Sequence, residues 1–121
     1  MIQTIVSTLV EALLKKQKID KPTWHEYEGT IKQILGIGTA ELLSQDTEEL
    51  TKRYENDPQQ YEKIELIAVN MLQLAEEEVD NPLLKSKLRQ DGIKLLKQVQ
   101  ENDKAFSLQR AYLLKLLEFN Q

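Results

Sequence analysis

The sequence predicts an all-α domain, and three observations carry that reading. No run sustains a two-residue alternation of apolar and polar side chains, and no Asn-Gly or Asp-Gly turn sits between apolar runs. Apolar residues recur instead at steps of three and four, most persistently in PQQYEKIELIAVNMLQLAEEEVD, residues 58–80. Asp57-Pro58 and Asn81-Pro82 bracket that stretch, each offering a capping side chain followed by proline at a first helical position. Five to six helices are expected. Two antiparallel helical hairpins, residues 2–35 and 82–119, flank a long central helix over 58–79, and short helices over 39–55 bridge to it.

The first helix is expected from about Ile2 to Lys16, with Ile2, Ile5, Val6, Leu9, Val10, Leu13 and Leu14 as a broad buried face. Lys15, Lys16 and Lys18 follow, where cations suit the helix dipole. With Lys21 they could form a lipid or phosphate patch, but no aromatic interleaves them, and helix-end charge accounts for them. Asp20 and Thr23 are both candidate caps for a second helix, Pro22 to Leu35, whose apolar face is Trp24, Tyr27, Ile31, Ile34 and Leu35. Gly36 is placed to close it in the left-handed conformation. The Gly-Ile-Gly at 36–38 has no preceding strand and no Gly-Lys-Ser/Thr, so it does not read as a phosphate loop.

TAELLS, residues 39–44, makes a turn or two with Leu42 and Leu43 inward. Asp46 and Glu49 open another short helix running to about Glu55 and carrying Leu50 and Tyr54. In the central helix Tyr61, Ile64, Ala68, Met71, Ala75 and Val79 form the stripe, widened by Ile67, Leu72 and Leu74. Gln60 lies three residues after Asp57, the spacing of a capping box. The next helix, Pro82 to about Gln100, carries Leu84, Leu88, Gly92, Leu95 and Val99 on one face, backed by Leu83, Ile93 and Leu96. Gly92 costs that helix about 1 kcal/mol relative to alanine; either close approach of a neighbour or a mild kink would account for it. Asn102-Asp103 then marks a turn before the last helix, Lys104 to Phe119, which becomes apolar almost all round, Phe106 included.

A chain of 121 residues with 40% hydrophobic and 30% charged side chains fits one domain able to bury a core. The absence of cysteine excludes disulfides, thiolate metal sites and cysteine nucleophiles. Ile2 to Leu14 lacks a basic region before it and a small-residue cleavage site after it, and no stretch reaches membrane-spanning length; a cytoplasmic location without membrane contact is expected. The net charge of −4 hides a division: residues 41–80 hold twelve acidic groups against Lys52, Arg53 and Lys63, and residues 81–121 hold eight basic groups against four acidic. These segments either neutralise each other within one chain or meet head to tail between chains.

Chemistry is sparse. His25 is the sole histidine, and His25 with Glu28 reverses the Glu-x-x-His order of carboxylate-bridged bundle sites and has no second copy. No serine sits in a nucleophile elbow. No catalytic, cofactor-binding or metal-ligating residue is assigned, and an enzyme is not expected. Glu76, Glu77, Glu78 and Asp80 are the densest carboxylate cluster, but consecutive helical positions diverge and cannot converge on one ion. Pairing with Lys85, Lys87 or Arg89 is the plain account of them, and an acidic docking spot for a basic partner is the other.

Residues 2–35, with WHEYEGTIKQIL as second helix, and residues 82–119, with Gly92 in the first helix and KAFSLQRAYLLKLLE in the second, resemble degenerate tetratricopeptide-like helical hairpins. Ala105 and Tyr112 fall where such helices carry small and aromatic packing residues. The layout is also similar to small uncharacterised bacterial proteins with degenerate repeats of this kind. The resemblance implies stacked hairpins that bind peptides or helices; an irregular bundle is the other arrangement open to the chain. The expected function is accordingly a non-enzymatic protein–protein interaction module or small structural protein. Its partner would be another protein or a second copy, through Tyr112, Leu113, Leu116, Leu117 and Phe119 at the apolar end of the last helix. Two other readings are a small apolar ligand lined by Trp24, Tyr27, Tyr54, Tyr61 and Tyr112, and nucleic acid held by Lys85, Lys87, Arg89, Lys94 and Lys97. The acidic balance disfavours the second.

Overall fold

Every residue from Ile64 to Gln73 is buried in the computed structural model. A helix docked by one stripe would alternate between core and solvent, so this one is enclosed on all sides. It is the hub of an all-helical fold. The structure describes residues 2–78, 80–105 and 107–119. Among them are seven helices and no strand: α1 (Ile2–Leu14), α2 (Lys21–Leu35), α3 (Thr39–Ser44), α4 (Thr47–Arg53), α5 (Gln60–Glu77), α6 (Pro82–Asn102) and α7 (Leu108–Phe119). Val79 and Phe106, which the sequence assigns to the central stripe and the last helix, lie outside the described residues.

The main packing is α5 along α6, with α1 laid across α5 and α7, and α7 against α6. α2 packs on α5, while α1 and α2 flank an open groove of about 370 Å³ rather than closing on each other along their length. The bridge is pinned near its C-terminal end to two neighbours. The Tyr54 hydroxyl, whose pKa burial pushes up, donates to the Leu35 carbonyl at 2.8 Å, and Thr51 Oγ1 donates to Gln98 Oε1 of α6 at 3.2 Å.

Several boundaries follow the capping chemistry. Asp20 Oδ1 accepts the Thr23 N–H at 2.8 Å, Asn81 Oδ1 accepts the Leu84 N–H at 3.1 Å, and Asp46 with Glu49 completes a reciprocal capping box. Gly36 closes α2 at φ 78°. Others correct the expectation. Seven helices are described where five to six are expected; the two short bridge helices expected over 39–55 are distinct, parted by Gln45, extended at φ −105° and ψ 148°. The central helix begins at Gln60 rather than Pro58: the Gln60 N–H donates to the Asp57 carbonyl at 3.0 Å and the Gln59 N–H to its carboxylate at 2.8 Å, which makes Pro58 and Gln59 a turn ahead of the helix, while the Lys63 ammonium meets the other carboxylate oxygen at 2.6 Å. At its other end it stops at Glu77, and Glu78 is already extended at φ −81° and ψ 108°.

α1 ends at Leu14, two residues short of Lys16, in a paired closure: the Lys16 N–H donates to Leu13 O at 3.2 Å and the Gln17 N–H to Ala12 O at 2.9 Å. Lys16 takes the left-handed position at φ 54° that glycine usually fills. α7 begins at Leu108, not Lys104, because Asp103 Oδ1 accepts the Ala105 N–H at 3.1 Å and Ser107 Oγ accepts the Arg110 N–H at 3.2 Å. Those side chains hold the segment in turns until Ser107 can cap the helix.

Gly92 marks the closest approach of α5 and α6. A methyl group there would lie 2.8 Å from Leu72 Cγ and 3.0 Å from the Ala68 carbonyl oxygen. Close approach, not a kink, is therefore its role. Alanine at 92 gains about 1 kcal/mol in helix propensity but forces α6 away from the enclosed α5, an overpacking cost of about 1–3 kcal/mol. Gly92→Ala is expected to lower stability in urea unfolding, whereas Gly29→Ala, with nothing within 4 Å of the new methyl, should raise it by about 0.5–1 kcal/mol. A stabilised Gly92→Ala would refute the close-packing account. A pH dependence follows from Asp57. Hydrogen bonds from the Lys63 ammonium and the Gln59 N–H hold its carboxyl below the ordinary value of 3.8. The folded state thus favours the carboxylate, so its contribution is present above about pH 4 and fades as pH falls through the lower folded value. Urea midpoints from about pH 7 to about pH 2 should show wild type and Asp57→Asn converging at the acid end.

Candidate functional site

α7 carries the surface residues singled out by the sequence, and one buried ion pair sets how that helix lies. Arg110 in its first turn is 4% exposed, and its Nη1 donates to Glu65 Oε2 of α5 at 2.7 Å. Nε donates to Gln100 Oε1 of α6 at 2.7 Å, Nη2 donates to the Ala105 carbonyl at 3.0 Å, and Asp103 Oδ2 lies 3.8 Å from Nη1. The guanidinium fork thus reaches α5, α6 and the loop before α7 at once, which a lysine's single ammonium could not do. Further along, Lys97 meets Glu118 at 2.9 Å, so α6 and α7 run antiparallel.

With α7 held in that rotation, the five predicted contact residues divide. Leu113 and Leu117 face inward at 1% and 7% exposure and belong to the core. Leu116 is half-buried and lines a groove with Leu13, Leu113 and Leu117. Tyr112 and Phe119 face out at 61% and 87%, joined by Leu108 at 75%, which the sequence reading had not placed in the contact set. Leu108, Tyr112, Lys115 and Phe119 follow a spacing of four, three and four, so one exposed face carries them all. The apolar end of α7 is therefore neither wholly core nor wholly surface.

The acidic cluster also divides. Glu78 Oε1 accepts the Asp80 and Asn81 N–H groups at 3.1 and 3.0 Å and so builds the turn between α5 and α6. Glu76 Oε1 lies 3.9 Å from the Arg89 guanidinium. Glu77 and Asp80 are the members left without a side-chain partner among the described residues. Of the basic residues on α6, Lys87 pairs with Asp91 at 3.0 Å, Arg89 with Glu76, and Lys97 with Glu118. The aromatic residues are dispersed: Tyr27 lines the groove between α1 and α2, Tyr61 a separate cleft with Thr51 and Gln98, Tyr54 is in the core, and Tyr112 is outside. His25 is exposed, and Glu28 accepts a hydrogen bond from Thr39 Oγ1 at 3.2 Å. Among the described residues no cluster of three histidine or carboxylate side chains could hold a metal ion, and no helix is long and apolar enough to cross a membrane.

Sequence reasoning missed the buried polar residues of α5: Glu65, Asn70 and Gln73, exposed by 4%, 2% and 1%. Asn70 Oδ1 and both polar atoms of Gln73 have no hydrogen-bond partner. The signal was available. Once apolar residues surround a helix on all sides, any polar residue among them must be buried too.

Truncating one member of the buried pair strands the other charge, at a cost of about 3–5 kcal/mol. Arg110→Met alone should therefore destabilise strongly in urea unfolding, while the double variant Glu65→Leu with Arg110→Met should recover most of that loss. Additive losses in the double variant would show that the two residues are not coupled.

Comparison of the chain with protein-family models, with curated proteins and with solved structures found no match.

Proposed function

We propose that this chain is a non-enzymatic helical interaction module that associates with a second copy of itself through the outer face of α7. The observation that carries the reading is the exposed row Leu108, Tyr112, Lys115 and Phe119. Its order is self-complementary. If two α7 helices cross antiparallel about a two-fold axis, Leu108 meets the partner's Phe119, and Tyr112 meets the partner's Lys115. The first contact is apolar on both sides, and the second sets an ammonium over an aromatic ring. An isologous contact requires that kind of symmetry, with each residue answering its opposite. The antiparallel α6–α7 pair is the portion that supports a repeat-like hairpin, although Ala105 precedes α7 and Tyr112 faces outward rather than packing within it, and in that reading α7 is its open outer helix.

Size exclusion with light scattering at low and high salt tests the proposal. A dimer that persists in high salt is expected, because apolar contacts are not screened. Phe119→Asp and Tyr112→Lys, the second setting like charges against each other at Lys115, should each give a folded monomer with unchanged helical circular dichroism, since both side chains are solvent-facing in the single chain. Leu113→Glu should instead unfold the protein, because Leu113 is core. A wild-type monomer at every concentration and salt would overturn self-association, and a dimer lost only in high salt would assign assembly to the charged faces instead.

A further inference from the structure

Where α4, the start of α5 and the end of α6 come together, the surface holds a cleft of about 170 Å³. No charged side chain lines it, although 30% of the chain is charged. The buried Ile64 and Val99 close its bottom, and the half-buried Tyr61 supplies an aromatic wall. Its polar groups come from less buried residues, Thr51, Gln60, Gln98 and Asn102. Gln98 and Asn102 are four residues apart and share one face of α6. Hydrogen bonds within the protein fix both of their amides. Thr51 Oγ1 donates to Gln98 Oε1 at 3.2 Å, and Asn102 Nδ2 donates to the Gln98 carbonyl at 2.7 Å. Gln98 Nε2 is left as a donor and Asn102 Oδ1 as an acceptor. Asn102 is exposed and Gln98 half-buried, and neither group is a buried orphan of the kind found at Gln73.

We propose that this cleft binds an uncharged purine base whose edge carries an acceptor beside a donor, as adenine does. An apolar bottom under a polar rim calls for a ligand with apolar faces and polar edges, which describes a planar heteroaromatic. A sugar carries hydroxyls on every side and would press some of them against Ile64 and Val99 without a partner. Adenine's N7 accepts and its exocyclic amine donates, so Gln98 Nε2 and Asn102 Oδ1 together offer what a single asparagine or glutamine offers that base. Tyr61 gives the ring a surface for stacking, which is worth most where the site is sheltered from water. No lysine or arginine in the lining is available to hold a phosphate, so the free base rather than a nucleotide is the fit. The cleft is smaller than the roughly 300–1,000 Å³ of sites for drug-sized molecules, which agrees with so small a ligand. None of these residues lies on α7, so this site and pairing through the outer face of α7 can fail separately.

Adenine is the probe, with hypoxanthine and glucose as comparison arms. Titrated into the ¹⁵N-labelled full chain, adenine should move the side-chain NH₂ signals of Gln98 and Asn102 saturably and raise the melting temperature, because a ligand of the folded state stabilises it. Hypoxanthine has the same shape but carries an acceptor where adenine has its amine, so it should bind at least about fivefold more weakly. Glucose should leave the signals in place. Tyr61→Ala should weaken adenine by about fivefold or more, the loss of one stacking contact. Asn102→Ala, at an exposed position, should keep its helical circular dichroism and lose about fivefold or more in affinity. Four results would overturn the proposal: Gln98 and Asn102 signals that stay fixed with adenine, hypoxanthine binding as tightly, glucose binding as tightly, or undiminished binding to Tyr61→Ala. The three-compound comparison is made on the wild-type chain, so it decides even if a variant fails to fold.

Discussion

The complete enclosure of α5 is the constraint on which the rest of the structure depends. A helix buried on all faces needs neighbours on all faces, and α1, α2 and α6 supply them while α7 closes over α1 and α6. Enclosure also removes water from whatever polar groups the helix carries. Glu65 meets that demand by recruiting a residue 45 positions away, and Arg110 then determines the rotation of α7. The inner and outer faces of the last helix are thus decided from the middle of the chain. Leu113 and Leu117 become core, and Leu108, Tyr112 and Phe119 become surface, because Arg110 must point at α5.

The same constraint separates the two kinds of buried polar residue on α5. Glu65 is charged, so it cannot remain buried without a partner, and four groups gather on its arginine. Gln73 is neutral, and a neutral amide can be left unmet at a smaller cost.

Much of the fold was legible because it is written locally. Asp20, Asp46 and Asn81 cap where their spacing says they should, and Gly36 closes α2 where a left-handed residue is needed. Two of the boundaries that moved involve side chains that hold the preceding residues in a turn, while the end of α1 moved through backbone hydrogen bonds. Asp57 bonds Lys63 and Gln59 instead of capping, and Asp103 with Ser107 holds back the start of α7. The candidate site was legible only in part. Periodicity identified α7 as excessively apolar, yet which leucines turn inward depends on Arg110, whose partner is remote in sequence. Two pairs of periodic helices likewise suggest two hairpins, but α1 rests on α5 and α7 because α5 has an apolar face to offer on every side.

Charge completes the argument about where association can occur. The acidic segment 41–80 and the basic segment 81–121 meet inside one chain, through Glu65 with Arg110 and Glu76 with Arg89. Lys87 and Lys97 find their carboxylates on α6 and α7, so the basic segment also neutralises part of itself. The strongest of these pairs is buried and cannot be lent to another molecule. Exposed single pairs contribute little to stability or to assembly. Part of the charge that could attract another copy is therefore engaged within each copy. Of the four large apolar side chains most exposed among the described residues, Leu83 lies alone on α6, and the other three form one row on α7, with a lysine set among them at the position that answers a tyrosine. A force that is not screened and a pattern that matches itself both favour the outer face of α7 over the charged faces as the route to assembly.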